Sequence, residues 1–217
     1  MNSDKFNAAI SAGKPYFGEE VLGTHGNPER QRHMTDLVRF VCSECNHQPI
    51  KILEIGSWIG VSAITWSNAI RLFNDRSGQV FCVDPWEPYL FNQETPSGWD
   101  LHMDNLLTND FAYQLFNHNI QCSGNNSLIQ AFRGLSSSIV PNFPDDTFDI
   151  IFIDGRSRIK CLINSLDLIK KNGVIIFDNS NRKEYKKAIH NFPLKRKTFA
   201  GLCPVLPYIS ETTFFFN

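Results

Sequence analysis

Short runs of β-branched and aromatic residues alternate with stretches of helical periodicity through most of this chain, and that alternation is what most constrains its fold. Ile50-Lys-Ile-Leu-Glu-Ile55 is followed by Gly56-Ser-Trp-Ile-Gly60, then by Val61, Ile64, Ala69, Ile70 and Phe73 at helical spacing: strand, glycine turn, helix. A second strand over residues 79–83 is stopped by Asp84-Pro85, and residues 129–132 form a weaker third. The nearly unbroken apolar run over 148–153, ending in Asp154-Gly155, has the composition of a strand covered on both faces, so it belongs near the sheet centre. Residues 174–177 make a fifth strand, ending at Asp178-Asn179. Such a pattern predicts an α/β chain with a doubly wound, mostly parallel, seven-stranded sheet and helices on both faces.

The remaining elements follow from the same periodicities. Ile159, Leu162, Ile163, Leu166 and Ile169 predict a helix that stops at Lys170-Lys171-Asn172-Gly173, with basic residues in its last turn and glycine beyond. A helix from about Arg182 to His190 leads to two last runs, near Thr198-Phe199 and over 212–216, the final one antiparallel. The whole chain, 1–217, reads as one domain. Two stretches stand outside the pattern: an N-terminal cap segment, 1–32, and an inserted cover segment, 86–119, rich in aromatics and turn formers. Trp86, Tyr89, Phe91 and Trp99 either form a satellite core under a long loop or, with Tyr16 to His25, a mobile cover over a pocket.

Charge and cysteine content narrow the function. Lys+Arg 21 against Asp+Glu 22 leaves a formal net charge of −1, which removes the electrostatic case for nucleic acid or an anionic membrane. No apolar run reaches the ~18 residues of a membrane span, and the polar first 30 residues lack a secretory pattern, so a cytoplasmic protein is expected. With 42% hydrophobic residues the core is large enough to need no disulfides, and Cys42, Cys45, Cys82, Cys122, Cys161 and Cys203 read as reduced thiols. Cys42-Ser-Glu-Cys45 with His47 has no second cysteine pair at metal-site spacing and reads as a helix end.

Ligands of open parallel sheets bind beyond the carboxyl ends of the strands, so the residues there carry the function. Glu54-x-Gly56-x-x-x-Gly60 is not a dinucleotide fingerprint, because Trp58 stands where the backbone would have to approach a pyrophosphate. A phosphate-binding loop ending in Lys-Ser/Thr is also absent. Leu-Glu-Ile-Gly-Ser-Trp-x-Gly-x-Ser-Ala at the first strand, Val-Asp-Pro-Trp at the second and Phe-Asp-x-x-Phe-Ile-Asp-Gly at the fourth together resemble the small-molecule branch of class I, Rossmann-like S-adenosylmethionine-dependent methyltransferases. Trp58 departs from that family, which has glycine there. The ammonium and sulfonium of adenosylmethionine suit the acidic strand ends.

What the resemblance implies is specific. Glu54, Gly56, Ser57, Trp58, Gly60, Asp84, Pro85 and Asp154 would line the cofactor, with Asp84 accepting both ribose hydroxyls and Gly134, Leu135 and Ser136 beside the adenine. Asp154, Asp178 and Asn179 match the magnesium ligands of catechol- and caffeoyl-type O-methyltransferases in type, while Arg156 and Arg158 offer an alternative in which cations neutralise the carboxylates without a metal. Asp154 and His102 are the expected catalytic residues; His25 and His118 are further candidate bases. The expected activity is methyl transfer to a small-molecule acceptor, on oxygen in preference to nitrogen, with a homodimer left open. Aminopropyl transfer, and a non-catalytic adenosylmethionine-binding partner protein, are the alternatives.

Overall fold

Seven strands, β1 (Ile50–Ile55), β2 (Gly78–Asp84), β3 (Ile129–Arg133), β4 (Phe148–Ile153), β5 (Ile169–Asp178), β6 (Lys195–Leu202) and β7 (Ile209–Phe216), form one sheet in the order β3-β2-β1-β4-β5-β7-β6. β1 to β5 pair in parallel, and β7 runs antiparallel to both of its neighbours, as expected of the final run. The computed structural model describes residues 3–17, 28–44, 48–89, 98–202 and 209–217, without the side chains of 3–6, 98–100, 102, 103 and 109.

Alternation along the strands sorts the core into two layers. Ile50, Ile52, Ile150, Phe152, Val174 and Ile176 pack on one face against α2 (Pro28–Glu44), α3 (Val61–Phe73) and α5 (Phe111–Cys122). Leu53, Ile55, Ile151, Ile153, Ile175 and Phe177 pack on the other, against α7 (Arg158–Leu168) and α8 (Lys186–Asn191). Every residue of β4 is buried, which is why its sequence is almost wholly apolar. α1 (Ser3–Ser11), α4 (Gly98–Leu107) and the single turn α6 (Ser136–Ile139) complete the described helices.

Two expectations are corrected here. The helix expected to run through Ile169 and cap at Gly173 ends at Leu168; Ile169 already pairs with Phe148, and Lys170 Nζ holds both Asp149 oxygens at 2.9 Å. Basic residues before a glycine look like a helix end, but this polar stretch is the irregular start of β5, with Asn172 at φ 66°. The second concerns 86–119. It contains α4 and most of α5, and α5 is a core helix whose Ala112, Leu115, Phe116, Asn119 and Ile120 are buried. Trp86, 1% exposed, lies between Tyr113 and Phe116 at ring distances of 4.9 and 4.8 Å, so it belongs to the main core and not to a cover. Phe91 and the stretch 18–25 fall outside the described residues, as do Cys45, His47 and Cys203; Cys82, Cys122 and Cys161 are free thiols.

Candidate active site

In this strand order the chain leaves β1 toward β2 on one side and β4 toward β5 on the other, which opens a crevice at the carboxyl ends of β1 and β4. The loop after β1 is held there by Asp84. Its Oδ2 accepts the backbone N–H groups of Ser57 at 2.9 Å and Trp58 at 3.1 Å, and its Oδ1 accepts that of Trp86 at 2.8 Å. Burial raises the Asp84 pKa, and those three amides, with Arg156 nearby, oppose the rise. Trp58 takes the left-handed conformation, φ 46°, that explains why glycine is usual at this position. The strain is tolerated because the turn is anchored from both sides: Trp58 N–H donates to Asp84, and Trp58 C=O accepts Trp86 Nε1 at 2.7 Å.

Gly56 has a structural task that its motif alone does not reveal. A Cβ there would stand 2.5 Å from Gly155 N and 2.7 Å from Asp154 C, with the backbone at φ 93°. Its lack of a side chain lets the β1 and β4 loops touch, so the crevice is closed at its base by backbone.

Glu54 is completely buried, and neither carboxylate oxygen has a hydrogen-bond partner. Desolvation pushes its pKa up to about 8, although the Ser57 and Ser62 hydroxyls, near the carboxyl but outside hydrogen-bond geometry, oppose the rise, so the carboxyl is largely protonated at neutral pH. Ser57 Oγ and Trp58 Nε1 are also buried without partners. A carboxyl, a hydroxyl and an indole N–H left unsatisfied around one loop are groups that a polar ligand could satisfy.

Asp154, Asp178 and Asn179 do come together, as their strand-end positions require, but they meet two arginines. Arg158 Nη2 donates to Asp154 Oδ1 at 2.6 Å, and its Nη1 to Asn179 Oδ1 at 2.7 Å and Asp178 C=O at 2.9 Å. Arg30, from the first turn of α2, places Nη1 2.6 Å from Asp178 Oδ2 and 3.4 Å from Asp154 Oδ2. Thr212 Oγ1 donates to the remaining Asp178 oxygen at 2.9 Å. Burial and the neighbouring Asp178 push the Asp154 carboxyl up to about 6, whereas the two arginines and Thr212 hold Asp178 below the usual carboxylate range. Asp178 keeps 3% of its side-chain surface exposed and Asp154 25%, so Asp154 is the more accessible of the two.

Of the two loop cations expected beside this cluster, Arg158 is there and Arg156 is not: its guanidinium lies over the ring of Tyr89 instead. The other partner, Arg30, lies in the segment expected to be a cap, and local spacing gives no sign of it. Asn119, also unanticipated, accepts Tyr16 N–H at 2.7 Å and donates to Ile59 C=O at 3.0 Å, so it ties the N-terminal segment to the loop after β1. Pro85 and Gly134 flank the end of β2, with Gly134 N–H donating to Asp84 C=O at 3.0 Å; Leu135 is exposed, and Ser136 Oγ lies 3.4 Å from Cys161 Sγ. His118 Nε2 meets Lys14 C=O at 2.7 Å. His25 and the side chains of His102 and Trp99 lie outside the described residues.

The sheet order and the acidic strand ends define a class I methyltransferase fold. A family model described as a methyltransferase domain matches residues 53–180, and the chain belongs to that family. Among curated protein sequences none matches. Solved structures with the same fold include an O-methyltransferase from Bacillus cereus in complex with SAH, at 17% identity and TM-score 0.64, covering 100% of this chain and 92% of that one. TomG, an O-methyltransferase from Streptomyces achromogenes involved in tomaymycin synthesis and solved with SAM, aligns at 14% identity and TM-score 0.62, covering 100% and 99%. Spermidine synthase from Thermotoga maritima shares the fold at 14% identity and TM-score 0.56, covering 86% of this chain and 58% of its own.

Proposed function

We propose that this protein transfers the methyl group of S-adenosylmethionine to an oxygen of a small-molecule acceptor. The observation that carries the reading is the Glu54 carboxyl, fully buried and without a partner at the end of β1. A ligand bringing an ammonium group would ionise it and supply the missing contacts, and adenosylmethionine carries one on its amino-acid end.

In this reading each strand end has one task. Glu54 receives the ammonium, with Ser57 and Trp58 beside it and Gly56 and Gly60 shaping the turn. Asp84, whose Oδ1 takes one amide and retains a lone pair, accepts from the ribose, and Pro85, Gly134, Leu135 and Ser136 border the base. The cofactor supplies a methyl already activated on sulfonium, so what remains for the protein is to hold the acceptor in line and to take its proton. Asp154 is the carboxylate for that proton, being both more accessible than Asp178 and raised in pKa, and His102 is the second candidate. O-methylation is favoured over aminopropyl transfer because several of the solved structures that share the fold are O-methyltransferases. The formal net charge of −1 supports a small molecule over nucleic acid as the acceptor, and the free thiols of Cys82, Cys122 and Cys161 support a cytoplasmic setting. A homodimer is a further expectation, read by sedimentation.

Calorimetric titration with adenosylhomocysteine should give saturable binding that Glu54→Gln weakens at least tenfold, and incubation with methyl-labelled adenosylmethionine and a metabolite pool should give a labelled acceptor. Tight NAD binding with no response to adenosylhomocysteine would overturn the reading. Binding without any labelled product would point to the non-catalytic alternative.

A further inference from the structure

The cluster of Asp154, Asp178 and Asn179 is where a metal-dependent relative would hold a divalent cation, and the donor set here does not fit one. Such an ion needs free oxygen lone pairs converging at about 2.0–2.1 Å, with near-octahedral geometry. Asp154 Oδ1, Asp178 Oδ2 and Asn179 Oδ1 instead each accept a guanidinium N–H at 2.6–2.7 Å. Arg30 Nη1 lies within reach of both carboxylates, at 2.6 and 3.4 Å, and so occupies the bridging position. Charge makes the same point. Two carboxylates and two guanidinium groups balance, and a divalent ion added to them would leave a buried excess of two positive charges. Neither arginine is a loosely held surface group: the Arg30 side chain is 12% exposed and packs over the Phe152 ring at 5.5 Å, and that of Arg158 is 7% exposed, with its Nε donating to Gly155 C=O at 2.8 Å.

Resting on the methyltransferase reading above, we propose that Arg30 and Arg158 stand in place of the divalent cation between Asp154 and Asp178, and that this protein transfers methyl groups without a metal requirement. A guanidinium group donates hydrogen bonds but neither chelates nor acts as a Lewis acid. The site therefore does not select an acceptor with two adjacent hydroxyls for bidentate binding; a single hydroxyl or an already ionised oxygen suffices. Arg30 is a positioning residue in this scheme, fixing the two carboxylates at hydrogen-bonding distance from one cation.

The test uses the full chain and Mn²⁺ as the probe, followed by its electron paramagnetic resonance signal. Titration of the wild type should leave Mn²⁺ free up to millimolar concentration, with or without adenosylhomocysteine. Arg30→Ala should acquire one equivalent of bound Mn²⁺ at least tenfold more tightly, because two carboxylates then face each other with one cation between them, whereas Arg30→Lys should remain silent. One equivalent bound tightly by the wild type and lost in Asp178→Asn would overturn the proposal, and so would an Arg30→Ala protein that folds, by circular dichroism, yet gains no Mn²⁺ affinity. The wild-type arm decides the matter even where the variant does not fold. Adenosylhomocysteine titrated in the presence of chelator separates the two readings: binding that needs added metal overturns this one alone, and no binding under any condition overturns the methyltransferase assignment while the Mn²⁺ result still judges the arginines.

Discussion

Asn119 and Tyr16 exchange two hydrogen bonds across more than a hundred residues of sequence: Tyr16 N–H donates to Asn119 Oδ1 at 2.7 Å, and Asn119 Nδ2 donates back to Tyr16 C=O at 3.2 Å. The same Nδ2 reaches Ile59 C=O at 3.0 Å, and Asn119 has no exposed surface. One side chain thus satisfies three backbone groups in two segments, one of them the loop after β1. Asn119→Ala removes these three buried hydrogen bonds and should cost about 2–4 kcal/mol of stability, measured by denaturant unfolding. Limited proteolysis should then cut within residues 3–17 sooner than in the wild type.

Glu54 sets a pH dependence with a definite sign. Its carboxyl pKa rises from the ordinary 4.5 to about 8 in the folded protein, so between those values the native state binds a proton that the unfolded state has lost. Unliganded wild type should therefore lose stability as pH climbs through that window, by several kcal/mol in total, with the loss complete above pH 8. Glu54→Gln should lack this component, so its stability advantage over the wild type should widen from pH 5 to pH 8 in chemical denaturation.

The proposed function predicts that ligand binding reverses the protonation of Glu54. If the ammonium of adenosylhomocysteine docks against it, the carboxyl ionises, and close to one proton should be released per ligand bound at pH 7. Titration calorimetry in two buffers of different ionisation enthalpy reads that number, and Glu54→Gln should bring it close to zero.

Asp84 has a structural task and, in the proposed function, a binding one, and two substitutions separate them. Asp84→Ala removes the acceptor for the Ser57, Trp58 and Trp86 amides and should destabilise the fold by about 2–4 kcal/mol. Asp84→Asn keeps one carbonyl oxygen for the loop; it should cost less stability, while adenosylhomocysteine affinity falls about tenfold.

Gly56→Ala tests the contact beneath the crevice. A methyl 2.5 Å from Gly155 N, at φ 93°, forces the β1 and β4 loops apart, and about 3 kcal/mol or more of stability should be lost in thermal melts. Because Gly155 adjoins Asp154, cofactor affinity should fall with it.

Much of this protein is legible locally. Apolar runs with period-two burial named the strands, and Asp84, Asp154 and Asp178 could be placed at one rim of the sheet because parallel strands all end on the same side. The acidic residue inside β1 and the glycines after it marked the crevice for the same reason. Where the reading failed, local chemistry had two meanings. Lys170 to Gly173 carry the composition of a helix end, and only the pairing of Ile169 with Phe148 shows that they begin a strand. Trp86 is an aromatic in a turn-rich stretch, and only α5 folding back over it reveals a core position.

The sequence by itself determined the order of strands and helices and the rim on which the carboxylates stand, since each of these follows from residues close together in the chain, and its strand-end motifs carry the resemblance that implies the cofactor. Tertiary structure alone decided what those carboxylates face. Arg30 is 124 residues from Asp154, and its contact with both carboxylates exists only because α2 packs across the sheet and delivers its first turn to the ends of β4 and β5. No periodicity encodes a meeting of that kind, because burying a charge is favourable only once its partner's position in space is fixed.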